Sequence, residues 1–259
     1  MTQYYFLATL LPQLQIGVPP EINSRELKAF VEANVPSGDK EKVYAIRLYA
    51  DLQNLRSFLR GEPFSAAGNF NENQLEEAVL TRSGFPDYVY DFLERYDSKE
   101  ERLKNFTHLF AHYFRSEVPK QEGFLHDYLL FERERRLVLT ALRAKRLGRD
   151  LLEELQFEDP DDDFVVRILA QKDNKEYEPP ERYADLKGLY EEHADNPLEL
   201  HKALAEYRYA RIGEIAGIKP FSIDRILAYI ARLEIVEKWL ELDKRKGMEI
   251  VEQIVREST

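Results

Sequence analysis

Residues 124–148 read FLHDYLLFERERRLVLTALRAKRLG, and this stretch decides the fold class. It spans about seven helical turns at 3.6 residues each, with no proline and no internal glycine to break it. Phe124, Tyr128, Phe131, Val138 and Leu142 recur at helical spacing, flanked by Leu125, Leu129 and Leu139. They form a wide apolar stripe that predicts a long helix facing a core. One turn interrupts the stripe. Glu132 stands there with Arg135 and Arg136 in reach at i+3 and i+4. Most helix ion pairs are exposed and weak, so the favoured reading is a solvated flank. The sharper reading is a charged pair set inside a helical bundle to fix its arrangement. Glu134 falls about 160° from Glu132 around the helix at 100° per residue, on the side expected to face water.

Outward from this helix, caps and breakers divide the rest of the chain into helical segments. Asn23 with Glu26 reads as a capping box opening a helix over 25–33. Asp39 caps a helix over 40–60, which Gly61 and Pro63 end. Asn71 with Gln74 opens a short helix to Arg82. Pro86 suits the first position of a helix over 87–96. Ser98 with Glu101 opens another that Pro119 stops. After a short helix over 150–156, Asp159 caps a helix with Pro160 at its first position and Asp161, Asp162 and Asp163 in its first turn. Residues 172–179 are polar and are expected to form a mobile loop. Helices follow over 180–193, 197–215 and 223–246, with a short one after Gly247. Residues 4–11 are compatible with a short buried strand, an extended segment or a brief helix. With roughly ten helices and at most a little strand, the expected class is all-α. The chain is read as one domain over residues 1–259.

Composition narrows the function. The chain has 259 residues, 44% hydrophobic and 33% charged, which is a globular balance. Its formal net charge of −11 disfavours nonspecific binding to nucleic acid or anionic lipid, because both require a basic face. There is no cysteine, so disulfides, thiolate nucleophiles and cysteine-based zinc sites are excluded. Residues 1–20 carry no charged side chain, yet they lack a positive n-region and contain Gln3, Pro12, Gln13 and Gln15 before Pro19. They read as buried chain and not as a targeting segment.

Candidate chemistry is sparse. His108 and His112 lie at i,i+4, the spacing for two imidazoles on one zinc, but Leu109 stands where a metalloprotease carries glutamate. Ordinary helix histidines are the favoured reading. Glu158, Asp159, Asp161, Asp162 and Asp163 lack the glycine turn and the alternation of a calcium loop, so helix-start charge is favoured. Arg143, Lys145, Arg146 and Arg149 form a basic cluster. It reads either as cations at a helix C-terminus or as a docking patch for an acidic partner. Lys244, Arg245 and Lys246 close the 223–246 helix in the same way. No phosphate loop, dinucleotide fingerprint or nucleophile elbow is present, and no cofactor is called for.

Three helices look alike. RLYADLQNLRSFLRG (47–61), YLLFERERRLVLTALRAKRLG (128–148) and YIARLEIVEKWLELDKRKG (229–247) each carry an early acid, Asp51, Glu132 or Glu234, then large apolar residues, a basic end and a glycine. The pattern suggests a triplicated helical unit, with lobes around helices 40–60, 121–148 and 222–246. The chain resembles the C subunit of the V/A-type ATPases, known as the d subunit in the eukaryotic enzymes. It looks more like a bacterial family of unassigned function whose genes lie with V-type ATPase genes. The segments that carry the resemblance are YYFLATLLPQL (4–14), DLQNLRSFLRG (51–61), FERERRLVLTALRAKRLG (131–148) and PFSIDRILAYIARLEIVEKWL (220–240). Together they span most of the chain through short, degenerate motifs.

The resemblance implies a funnel-like all-α assembly of three lobes. It implies a noncatalytic central-stalk adaptor on the cytoplasmic side, joining the rotor shaft subunits to the membrane proteolipid ring, with no cofactor. Asp51, Asn54, Glu132 and Glu234 would then hold helices together. The rival reading is a helical enzyme acting on an acidic or phosphorylated small molecule through Arg135, Arg136 or the basic cluster. A helical scaffold unrelated to ATPases is the third.

Overall fold

The structure is a computed structural model that describes the backbone of residues 4–257 and the side chains of residues 4–242. Among the described residues there are thirteen α-helices and no strand, so the class is all-α. The chain divides into two compact units, one made of Met1–Arg47 with Ala205–Thr259 and the other of Leu48–Leu204. The divisions fall inside two continuous helices, α3 (Lys40–Arg60) and α12 (Pro197–Ala216).

The first unit is built from both ends of the chain. Its N-terminal segment folds as a short helix, α1 (Tyr5–Leu10), and not as the strand that the apolar run 4–11 allows. The reason is visible in its burial. Tyr4 and Leu7 face inward while Tyr5, Phe6 and Leu10 are exposed, which is a helical spacing and not an alternating one. Helix α2 (Ser24–Asn34) has the anticipated capping box: Glu26 N donates to Asn23 Oδ1 at 3.0 Å and Asn23 N donates to Glu26 Oε2 at 3.0 Å. Such a cap contributes about 1 kcal/mol. Helix α13 (Ile223–Glu257) packs on α1 and α2, and its Ile226, Leu227, Leu233 and Val236 are buried. It runs straight through Gly247, where a stop was expected. A helix-interior glycine costs only about 1 kcal/mol against alanine, which neighbouring turns can offset. The side chains of Lys244, Arg245 and Lys246 lie outside the described ones.

The second unit is arranged around α8 (Gly123–Leu147), the helix of the opening stretch. Helices α7 (Phe106–Glu117), α9 (Leu151–Glu154), α10 (Asp163–Leu169) and α11 (Ala184–His193) all pack on it. Its apolar stripe is buried from Phe124 to Leu142, and Gly148 ends it in the left-handed conformation at φ 63°. Each buried leucine or phenylalanine contributes about 1.5–3 kcal/mol. Tyr49 of α3 meets Phe110, Tyr113 and Phe114 at ring-centroid distances of 5.4–5.7 Å. Helices α4 (Glu72–Thr81) and α5 (Asp87–Arg95) follow the expected boundaries closely.

Other expectations are corrected. The helix read from Ser98 to Pro119 is two, α6 (Lys99–Lys104) and α7, because Asn105 turns its side chain back onto the Glu101 carbonyl at 3.0 Å and ends the first. Helix α10 starts at Asp163, and its cap is Asp162 instead of Asp159. Asp162 Oδ1 accepts from the Phe164 and Val165 amides. Asp159 instead closes a turn onto the Asp161 amide at 3.0 Å. The polar segment 172–179, expected to be mobile, is pinned at several points. Gln171 exchanges two hydrogen bonds with the Glu178 backbone, and Tyr177 is buried.

Candidate functional site: buried polar groups on the look-alike helices

Nine polar or charged residues are buried among the described ones. They include Asp51, Asn54, Glu132 and Glu234, which the sequence singles out on its three similar helices. In α3, Asp51 is 0% exposed. Its carboxylate accepts from Asn69 Nδ2 at 2.7 Å and from the Phe70 amide at 3.1 Å. One turn on, Asn54 holds Ser65 from both sides. Its Oδ1 accepts from the Ser65 amide at 2.9 Å and its Nδ2 donates to the Ser65 carbonyl at 2.8 Å. Two side chains at i,i+3 therefore bind the loop that follows their own helix, satisfying backbone groups that burial would otherwise leave unpaired.

Glu132 in α8 is 1% exposed, so the solvated-flank reading of this pair is corrected. Arg135 Nη2 donates to Glu132 Oε2 at 2.7 Å. Arg136 does not join them. It pairs with Glu158, while Arg133 reaches Asp162 at 3.0 Å and Glu158 at 3.8 Å. Glu158 and Asp162, read from sequence only as helix-start charges, thus tie the segment before α10 to α8. Burial works against the Asp162 carboxylate, but Arg133 and two backbone amides outweigh it and hold its pKa below the usual carboxylate value.

Glu134, expected to face water, is also buried at 6% exposure. It accepts from Arg182 Nη2 at 2.6 Å on both oxygens and from the Tyr183 hydroxyl at 2.8 Å. The segment carrying Arg182 and Tyr183 covers the face of α8 that the periodicity assigns to solvent.

In the first unit, Glu234 in α13 accepts from Lys238 Nζ at 2.6 Å and lies 4.0 Å from Arg208 of α12. Glu237, one turn on, was not singled out by the sequence. Its carboxylate takes the Ser24 amide at 2.7 Å and the Ser24 hydroxyl, at the first turn of α2. There it meets unsatisfied amides and the positive end of the helix. Burial raises its pKa against the opposing effect of Ser24.

The basic cluster at the end of α8 separates into different roles. Lys145 Nζ donates to the carbonyls of Lys172 and Asn174, each at 2.6 Å. Arg146 pairs with Asp195 at 2.6 Å and Arg149 with Glu154 at 3.1 Å. Arg143 faces a cleft lined by several other cations.

His108 and His112 stack at 6.3 Å between centroids, with the Tyr96 hydroxyl 3.3 Å from His108 Nδ1. Burial first, then the nearby Arg95 and Arg115, push the His108 pKa below the ordinary imidazole value. Burial and Arg115 do the same for His112. Among the described residues no group of three or more histidine or carboxylate side chains is placed to hold a metal. No helix among them is long and apolar enough to cross a membrane.

The first unit also carries exposed apolar side chains. Tyr5, Phe6 and Leu10 of α1 are 56, 60 and 47% exposed, and Ile218 and Phe221 before α13 are 97 and 37%. Tyr5 stacks on Phe221 at 3.9 Å, which joins the helix and the loop into one patch.

Relatives match nearly end to end. A protein of Chlamydia pneumoniae is 29% identical over 260 residues, covering 98% of each chain. One of Chlamydia muridarum is 27% identical over 257 residues, covering 97% of each. Both are described as uncharacterized proteins. No solved structure matches the chain. A family model described as "Protein of unknown function (DUF2764)" matches residues 1–258, and the chain belongs to that family.

Proposed function

We propose that this protein is a noncatalytic central-stalk adaptor of a V-type ATPase, linking the soluble rotor shaft to the membrane proteolipid ring. The reading rests on the sequence resemblance to the C subunit of these ATPases. The observation that carries it furthest is the shared placement of the acids on the three look-alike helices. Asp51, Glu132 and Glu234 are 0, 1 and 6% exposed. Each is occupied by groups of its own chain, which supports an architectural role for the residues that carry the likeness. An adaptor needs such fixed helices and a surface for its partners. The patch of Tyr5, Phe6, Leu10, Ile218 and Phe221 supplies apolar area of the kind that marks protein contacts.

The test is co-purification of the full chain with separately expressed rotor shaft subunits and with the detergent-solubilised ring of the same organism. The adaptor should be retained by both at low salt. A Phe6→Glu/Leu10→Glu variant, altered only at exposed positions of α1, should lose at least one contact while keeping its circular dichroism. A folded wild-type protein that binds neither component would overturn the reading.

A further inference from the structure

We propose that a basic cleft in the second unit binds a small anion carrying two or more adjacent phosphate groups, such as pyrophosphate or the polyphosphate of a nucleotide. The site does not rest on the adaptor reading: Asp51, Asn54, Glu132 and Glu234 lie outside its lining, and of the charged group around Glu132 only Arg136 borders it. The cleft encloses about 420 Å³. Arg56 of α3, Lys104 of α6, Arg136 and Arg143 of α8, and Arg149 line it, against one carboxylate, Glu154. Arg149 already engages Glu154, and Arg136 engages Glu158 from outside the lining. Arg56, Lys104 and Arg143 form no ion pair within 4.0 Å among the described residues, with Glu62 the one carboxylate acting on Arg56 from beyond that distance.

Three cations without ion pairs, drawn from three helices, share this lining in a chain of net charge −11. Arg56 is one of them. Its guanidinium is half-buried over the Phe106 ring at 5.8 Å, and its Nε is buried with no hydrogen-bond partner. Burial, with Arg60 nearby, weakens its hold on its proton. That Nε is covered by protein, so the Nη groups of Arg56, which make no hydrogen bond among the described residues, are the donors left to meet an incoming anion.

The donor set points to phosphates. Guanidinium forks match phosphate oxygens pairwise, and a lysine supplies a point charge beside them. The hydroxyls of Thr107 and Thr140 add neutral donors on the same lining. A lone carboxylate or phosphate offers fewer oxygens than this set of donors can bind, whereas linked phosphates present several oxygens in a row. Tyr49, Phe106 and Phe110 form an apolar side against which a nucleotide base could lie.

The experiment is isothermal titration of the full chain at low salt with pyrophosphate, ATP and inorganic phosphate, each without magnesium. Pyrophosphate or ATP should bind at one site per chain, at least tenfold more tightly than inorganic phosphate. Tighter binding of ATP than of inorganic triphosphate, titrated alongside, would assign the aromatic side to a base; equal binding of these two would assign the site to the phosphates alone. Lys104→Gln/Arg143→Gln replaces exposed side chains, so it should keep the fold by circular dichroism and lose at least tenfold in affinity. Lys99→Gln, an exposed charge change outside the cleft, should lose less than threefold. Absence of binding at millimolar anion, equal binding of inorganic phosphate, or equal losses for the cleft and control variants would overturn the proposal.

Discussion

Gly68 offers a sharp test of the packing in the second unit. An added Cβ there would stand 2.2 Å from Asp51 Oδ1 and 3.1 Å from Asn54 Nδ2. Its backbone is not in the left-handed region, so any cost of Gly68→Ala comes from contact alone. The carboxylate cannot step aside cheaply, because Asp51 is fully buried and its oxygens already accept from Asn69 and the Phe70 amide. Either Asp51 gives up those bonds or the loop lifts away from α3. A hydrogen bond to a charged group contributes about 1.5–3 kcal/mol, so losing both would cost about 3–6 kcal/mol. Partial relaxation of the loop should leave about 3–4 kcal/mol. Urea unfolding followed by far-UV circular dichroism measures it. Hydrogen exchange over residues 65–71 should accelerate in parallel. Gly38→Ala is the control, since nothing lies within 4 Å of its added Cβ and its φ is not positive. It should be neutral or raise stability by about 0.4–1 kcal/mol through the unfolded chain. A Gly68→Ala protein within about 0.5 kcal/mol of wild type would refute the assigned role of Asp51.

Two further outcomes follow from the buried charges. Glu132→Leu should cost on the order of 3–5 kcal/mol, because it removes the partner of the largely buried Arg135. Glu134→Leu should cost about 1–3 kcal/mol: it takes the acceptor from the Tyr183 hydroxyl, while the half-exposed Arg182 returns to water. Chemical denaturation of the two variants gives the order, and a neutral Glu134→Leu would place that face of α8 in solvent after all. The third outcome is a pH dependence. His108 and His112 have folded pKa values below their unfolded ~6.5, so the unfolded chain takes up protons first. Their contribution is therefore fully present above about pH 7 and is lost as pH falls through 6.5 toward the folded values. Melting temperature should drop across that window, and His108→Gln/His112→Gln should flatten the slope. An unchanged slope would mean that neither imidazole is shielded.

The helices were legible because each has a local cause. The capping boxes at Asn23, Asn71 and Ser98 all form as the spacing of side-chain oxygen and N3 residue requires. What escaped is non-local. Glu134 lies on the polar side of α8 by periodicity, and nothing near it in sequence shows that Arg182 and Tyr183, almost fifty residues on, will cover it. Glu158 and Asp162 have a sufficient local role at a helix start, which hides their pairing with Arg133 and Arg136. The cation cleft is equally hidden, since Arg56, Lys104 and Arg143 come from three separate helices.

The acids of the look-alike helices show why a hydrophobic stripe is an incomplete guide to burial. A carboxylate inside an apolar stripe reads as a flank, because an unpaired buried charge would be prohibitive. Its donors are what permit the burial, and they come from elsewhere. For Asp51 they are Asn69 and the Phe70 amide, in the loop after its own helix. For Glu237, one turn beyond Glu234, they are the amide and hydroxyl of Ser24 at the opposite end of the chain. For Glu132 the donor Arg135 is on the same helix, and there the sequence does name the pair. Asp51, buried, and Glu237, half-buried, each fix a connection to another segment that apolar packing alone leaves free to slide. A leucine at position 51 or 237 could fill the same space, but it would accept nothing from the Phe70 or Ser24 amide. On this argument the polar residues of the three helices set which segments lie against them, while the apolar residues supply most of the energy.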